Sequence, residues 1–224
     1  MKRMIRAAMM FFMILAIAGC GGGGSPPTVV SPTIVTKIFS NQALDGDIVQ
    51  DFSGARRVTQ GMSLSPFGVQ SVFAGIDPVS GEEFRAFLDF SLASVPLNAV
   101  IVSAFLDITI DSIAILPAAN SIPILVELVF FQPPTLLASD FDRAFLLPLA
   151  RVTFPVFRTD AVAGRHVLVD VTSLLAEAQF RAMDNFQIRI LEGLGFVSPG
   201  LIEINDTTGV DRGVLAPLLE VTYF

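Results

Sequence analysis

Between Phe84 and Asp111 the chain alternates apolar and polar side chains with a period of two, which restricts what it can fold into. In the first run, Phe84, Ala86, Leu88, Phe90 and Leu92 share one face, while Arg85, Asp89 and Ser91 fall on the other. A turn through Pro96 and Asn98 comes next. In the second run, Val102, Ala104, Leu106, Ile108 and Ile110 alternate with Ser103, Phe105, Asp107, Thr109 and Asp111. Successive side chains of a strand point to opposite faces, so each run predicts a strand buried on one side. Arg85 and Asp89 are then expected to point away from the core, as a structural ion pair within the sheet.

Runs of the same character recur along the chain. Thr28 to Phe39 is rich in Val, Ile and Thr and broken by Pro32, as an edge strand would be. Ile48 to Phe52, Gln70 to Gly75, Ile124 to Phe131 and Arg151 to Phe157 add strands. His166 to Val171, Phe186 to Ile190, Leu201 to Ile204 and Leu218 to Phe224 complete the set. Ile113 to Ser121 is expected to be a loop, as is Arg56 to Phe67, with room for one short strand. A helix is predicted near 173–183, capped by Thr172 or Ser173, with Leu174, Leu175, Ala178 and Ala182 on its apolar side. Leu136 to Leu149 is ambiguous: Leu137, Phe141 and Phe145 would share a helical face, but Pro148 limits its length. Many short strands divided by Gly and Pro turns argue for an all-β fold. The arrangement predicted is a single antiparallel β-sandwich, jelly-roll-like, with one short helix.

The chain has 224 residues, 52% of them apolar, including 20 Phe. That requires a sizeable core, or a surface apolar enough to need a partner. The formal charge is −7. Removing Lys2, Arg3 and Arg6 from the 14 basic residues leaves 11 against 21 acidic ones. Such a body repels nucleic acid, and no nucleic-acid partner is expected. Cys20 is the one cysteine, so burial alone must hold the fold without an intramolecular disulfide.

Met1 to Arg6 is positively charged, Ala7 to Leu15 is apolar, and Ala16-Ile17-Ala18-Gly19-Cys20 closes the segment. That is the layout of a secretory signal, and its apolar run is short for a membrane span of about 20 residues. The ending Ile17-Ala18-Gly19-Cys20 resembles the bacterial lipobox. The resemblance implies cleavage before Cys20 and acylation of its thiol, so that the lipid makes a membrane partner. Gly21 to Gly24 and then Pro26-Pro27 form a tether. The expected division is a signal peptide at 1–19, lipidated Cys20 and tether over 20–35, and a β-sandwich domain over 36–224. No Asp comes directly after Cys20, so in a host with two membranes the outer one is the expected address.

Nucleophilic chemistry finds little material. His166 is the only histidine, G-x-S-x-G does not occur, and zinc would lack ligands. Neither a catalytic residue nor an enzymatic activity is expected. Carboxylate pairs such as Asp45/Asp47, Glu82/Glu83, Asp140/Asp142 and Asp206/Asp211 fall in predicted loops, where most such pairs are solvated turns. Calcium takes oxygen ligands from loop carboxylates, which makes Asp45, Asp47, Asp206 and Asp211 the candidates for a structural ion. No other cofactor is expected.

Several fragments share the order of one family. Val72-Phe73-Ala74-Gly75-Ile76-Asp77, the run from Phe84 through Ser91 to Pro96, and Val102 to Ile108 resemble the central signature of DNRLRE-type domains. Val169-Asp170-Val171-Thr172-Ser173-Leu174-Leu175, Asp184 to Ile190 and Pro217 to Tyr223 are similar to its later motifs, and Asp45 to Val49 to its opening. The resemblance covers residues from about 44 to the end, the length of a whole domain. It implies an extracellular β-sandwich similar to carbohydrate-binding modules, hence a non-catalytic domain that binds polysaccharide. The chain has no Trp and one Tyr, so a stacking platform for sugar rings has to come from Phe. The alternative is a structural or adaptor lipoprotein whose apolar face docks another envelope protein.

Overall fold

A computed structural model describes residues 32–61, 70–131, 135–162, 165–193 and 199–224. The signal segment, Cys20 and the glycine tether lie outside the described residues. Within Thr33–Phe224, a single unit, the first strands are β1 (Ile34–Phe39), β2 (Gly46–Gln50), β3 (Arg56–Gln60), β4 (Ser71–Ile76), β5 (Glu83–Ser91) and β6 (Ile101–Ile115). Then come β7 (Ser121–Leu128), β8 (Ala150–Phe157), β9 (His166–Asp170), β10 (Asn185–Glu192), β11 (Gly200–Asn205) and β12 (Leu218–Tyr223). Helix α1 spans Thr172–Phe180, and α2 is a single turn, Arg212–Leu215. No described helix is long and apolar enough to cross a membrane.

The fold is all-β and antiparallel, and its layers meet along β6. The first part of β6 pairs with β12 and β9, and β12 in turn with β1. Its last part, Ile110 to Ile115, pairs with β11, which leads through β4, β5, β10 and β7 to β8. The hairpin of β2 and β3 lies along the edge of β5. One strand thus belongs to both layers, and the sheet curls into a sandwich around a shared core. Strand structure continues past Asp111, where the sequence predicts a loop, because Ser112 to Ile115 supply the ladder that β11 needs.

The alternation read from the sequence describes the inner face well. Ala86, Leu88 and Phe90 of β5 meet Ala104, Leu106, Ile108 and Ile110 of β6 and Phe186, Ile188 and Ile190 of β10, all without exposed surface. Leu174, Leu175 and Ala178 of α1 close one end of this core. Each buried Leu, Ile or Phe contributes about 1.5–3 kcal/mol, which is how the described body coheres without a disulfide. Gly75 shows how tightly the strands approach: at φ 118° it sits where a Cβ would lie 2.1 Å from the Gly200 carbonyl oxygen.

The other face of β5 departs from expectation. Phe87 shares it with Arg85 and Asp89, and all three are buried. Residues 129–131 and 135–146 fold over this face, so that Phe87, Ile48, Val129, Phe131, Leu136, Phe141 and Leu146 form a second, smaller core. Arg85 and Asp89 do not pair with each other. Arg85 binds Glu83 at 2.6 Å and donates to the Phe141 carbonyl, whereas Asp89 accepts from Asn185 and Gln187. In the same layer, Arg189 lies opposite Phe87 on one side and opposite Glu127 on the other. Its guanidinium binds Glu127 Oε2 through Nε (3.0 Å) and Nη2 (2.6 Å), and donates to the carbonyls of Asp140 and Leu146.

One open reading is resolved and one expectation is corrected. Residues 136–149 form no α-helix; Ala138–Phe141 is a 3₁₀ turn, in which Phe141 is buried while Leu137 and Phe145 stay exposed. Helix α1 begins without a Thr172 or Ser173 side-chain cap. Asp170 Oδ1 instead accepts from Thr172 N, and the Thr172 hydroxyl is turned to the β6 backbone at Ala104. The helix ends at Phe180, so Ala182 does not extend its apolar side.

Removing the Glu127 carboxylate leaves a buried guanidinium unpaired. Glu127→Ala is expected to cost about 3–5 kcal/mol in urea denaturation, against under about 1 kcal/mol for the exposed pair mutant Glu220→Ala. Equal losses would show that the buried pair does not hold the covering segment.

Candidate functional site

A groove lies at the end of the larger layer where β5 stops and β10 starts. Ser91, at the end of β5, pairs with Asn185, at the start of β10. Between them the chain makes a 3₁₀ turn, Leu92–Ser94, and returns through α1. Two adjoining cavities of about 450 and 410 Å³ open here and share Met183 and Asp184. The first is walled by Leu92, Val95 and Pro96, with Ser91 and Asn185 at its edge. The second is bounded by Phe130, Leu149 and Arg181.

Local interactions set this groove before any ligand arrives. Gln179 Nε2 lies within hydrogen-bond distance of the carbonyls of Pro96 (3.3 Å), Leu97 (3.2 Å) and Ala99 (2.7 Å), tying the helix to the turn. Leu92 N donates to the Asp184 carbonyl at 2.9 Å. Helix α1 closes with Met183 N bonded to Ala178 O and Ala182 N to Gln179 O. That is the Schellman pattern, which glycine usually completes; here Ala182 takes the left-handed conformation at φ 52°. A side chain there costs about 1–2 kcal/mol, so strain is held in the wall of the groove. Met183, Leu149 and the half-exposed Phe130 supply apolar surface, and Ser91, Asp184 and Arg181 supply polar groups.

Asn185 links the groove to a buried acidic cluster. Its Nδ2 donates to Asp89 (3.1 Å), whose backbone N donates to Asp45 Oδ1 (2.8 Å). Ser40 Oγ stands 3.5 Å from Asp206 Oδ1, and Arg212 Nη1 3.9 Å from the same oxygen. Burial, with the charge of Asp206 added, holds Asp45 well above the usual carboxylate range. Burial also pushes Asp206 up to about 7, against the pull of Arg212. Asp89 is raised too, by burial, although Gln187 and Asn185 oppose it.

Of the calcium candidates, the fold brings Asp45 and Asp206 near each other. Asp47 accepts from Phe73 N at 3.2 Å, and Asp211 precedes the single-turn α2. Among the described residues, no group of three or more His, Cys, Asp or Glu side chains is placed to hold a metal ion. His166 lies on the outer face of the smaller layer, its Nδ1 2.8 Å from Asp107 Oδ1, away from the groove.

Sequence reasoning does not single out the groove residues, because Phe130, Met183 and Asp184 belong to different parts of the chain with no shared motif. The left-handed Ala182, shortly after the helix, likewise carries no sequence signal, since the residue is not glycine. No protein-family model matches the chain, and no curated protein is significantly similar to it.

Raised carboxyl pKa values make stability depend on pH. Across about pH 4 to 7 the folded state binds more protons at Asp45 and Asp206 than the unfolded chain, and Glu192, also pushed up to about 7 by burial, adds to this. Stability contributed by Asp206 and Glu192 is full below about pH 4 and is lost as pH rises through about 7, and Asp45 acts in the same direction. Melting is therefore expected several degrees higher at pH 5 than at pH 8, with a smaller difference in Asp206→Asn. A melting temperature that rises between pH 5 and 8 would refute the assignment. Separately, Ala182→Gly is expected to raise stability by up to about 1 kcal/mol by removing the left-handed strain.

Proposed function

We propose that this protein is a lipid-anchored, non-catalytic module of the cell envelope that binds polysaccharide, as its resemblance to DNRLRE-type domains suggests. The observation that carries the reading is the groove beside α1. Two adjoining cavities of about 450 and 410 Å³ share Met183 and Asp184, and apolar side chains with a few polar ones line them. Sites for sugars and other small molecules have this composition. Phe130 is the aromatic surface available to a sugar ring in the groove, and Asp184 and Arg181 are the groups that would read its hydroxyls. The lipobox-like Ile17-Ala18-Gly19-Cys20 and the glycine tether support a membrane address, the outer membrane in a host with two.

A second reading, an adaptor that docks another envelope protein, is favoured by the outer face of the smaller layer. Phe39, Phe105 and Leu168 are exposed there on β1, β6 and β9, among Lys37, Glu220 and Asp107.

Three outcomes test these readings. Cys20→Ser is expected to abolish incorporation of labelled fatty acid, and persistent labelling would remove the anchor. The full chain is expected to be retained on a panel of neutral and acidic polysaccharides. Phe130→Ala and Asp184→Ala should each weaken retention about tenfold, the scale of one stacking or hydrogen-bonding contact. Retention that neither change affects, together with a specific crosslinked partner lost on Phe105→Asp, would favour the adaptor.

A further inference from the structure

A second depression, of about 290 Å³, lies between the outer face of the larger layer and the segment covering it. Its floor is set by strand register. Arg56 of β3 lies opposite Gln50 of β2, and Gln50 opposite Glu83 of β5. Arg85, two residues along β5, continues the floor, and Phe141, Asp142 and Arg143 of the covering segment form the roof. Three arginines and two acids therefore face one cleft, on a chain whose overall charge is −7.

The acids present do not use up the arginines. Glu83 Oε1 takes both Nε (2.8 Å) and Nη2 (2.6 Å) of Arg85. Asp142 Oδ1 is engaged by Ala144 N. Arg143 Nη2 meets Glu127 Oε1 at 2.6 Å, but that carboxylate also serves Arg189, and Arg143 Nε is buried without a hydrogen-bond partner. Arg56 is held by Gln50 Oε1 (2.8 Å) and the Ala138 carbonyl (3.3 Å), and forms no ion pair among the described residues. The Phe141 ring lies against two guanidinium groups, its centroid 3.9 Å from the Arg85 carbon and 4.8 Å from that of Arg56. Such stacking holds planar donors in fixed orientations and leaves their edges free.

We infer that this cleft, centred on Arg56, binds the carboxylate of an acidic sugar unit. The inference rests on the polysaccharide reading and adds a charge-selective subsite to it. A planar carboxylate matches the guanidinium fork in two parallel hydrogen bonds, which a hydroxyl cannot reproduce. The volume falls just below the range for small-molecule sites, about 300–1,000 Å³, and suits one sugar unit rather than a chain. Arg85 stays committed to Glu83 and to the Phe141 carbonyl and Arg143 Nη2 to Glu127, so these two shape the cleft, while Arg56, which has no ion pair among the described residues, supplies the free donors.

The test is titration calorimetry of the full chain in detergent with oligogalacturonate, its carboxyl-reduced counterpart and dextran sulfate. Arg56→Gln should weaken oligogalacturonate binding about tenfold, the loss of one charge-assisted contact. Arg57→Gln is the control: it removes the same charge from the neighbouring position, where Arg57 is exposed and paired with Glu82. It should leave binding within about twofold, because an exposed pair is screened. Equal losses in Arg56→Gln and Arg57→Gln would overturn the site in favour of general charge attraction. Dextran sulfate bound as tightly and with the same Arg56 dependence would overturn the carboxylate assignment. Binding of only the carboxyl-reduced polymer, sensitive to Phe130→Ala and not to Arg56→Gln, would remove this subsite and leave the module reading standing. Absence of binding to all three would count against both.

Discussion

The larger layer depends on a buried ion pair, Arg189 with Glu127, neither of which has exposed surface. Charges in such a place are tolerated only when their hydrogen-bonding groups are met. Glu127 Oε2 meets two donors of Arg189, the Asp140 and Leu146 carbonyls accept two more, and Arg143 lies 2.6 Å from Glu127 Oε1. Burial works to lower the Arg189 pKa while the Glu127 charge resists it, so the pair is stable only as a pair. Because the two residues face each other across β10 and β7, their contact also marks the register of those strands.

This pair gives the sandwich a third, partial layer. The carbonyls that Arg189 recruits belong to the segment covering β5, which brings Phe141 and Leu146 over Phe87 and Ile48. The face that would otherwise meet water becomes interior, and the polar groups on it need partners of their own. Arg85 finds Glu83, Asp89 finds Asn185 and Gln187, and Arg143 shares Glu127. The Arg56 cleft is where that matching ends with donors left over. The groove beside α1 arises differently, from a left-handed alanine just past the helix end and a turn clamped by Gln179. The two depressions thus have separate structural origins and opposite characters, one apolar with a polar edge, the other charged.

The acidic cluster shows a limit of motif reading. In the sequence, Asp45 and Asp206 stand out as members of two separate loop pairs, Asp45/Asp47 and Asp206/Asp211. Folding brings the first members of the two pairs near each other. Calcium chemistry suits the pairs as written, because neighbouring loop carboxylates can both ionise in water. Burial changes the chemistry: two acids that hold their protons toward neutrality pack as neutral or half-neutral groups, and the pair becomes a source of pH dependence.

Period-two alternation alone determined most of the strands and which side of each faces the main core. Ala86, Leu88 and Phe90, or Leu106, Ile108 and Ile110, are buried as their spacing requires, since a strand has only two faces and one must leave water. The basic, apolar and small-residue order before Cys20 likewise belongs to the sequence and needs no fold to be read. Tertiary structure decided the rest. Whether Arg85 and Phe87 meet water depends on residues 135–146, which no local pattern assigns to that face. The Arg189–Glu127 contact joins residues 62 positions apart, and the α1 groove draws on elements from Ser91 to Asn185. Burial of a second face is a property of what lies over it, and that is set only when distant segments pack.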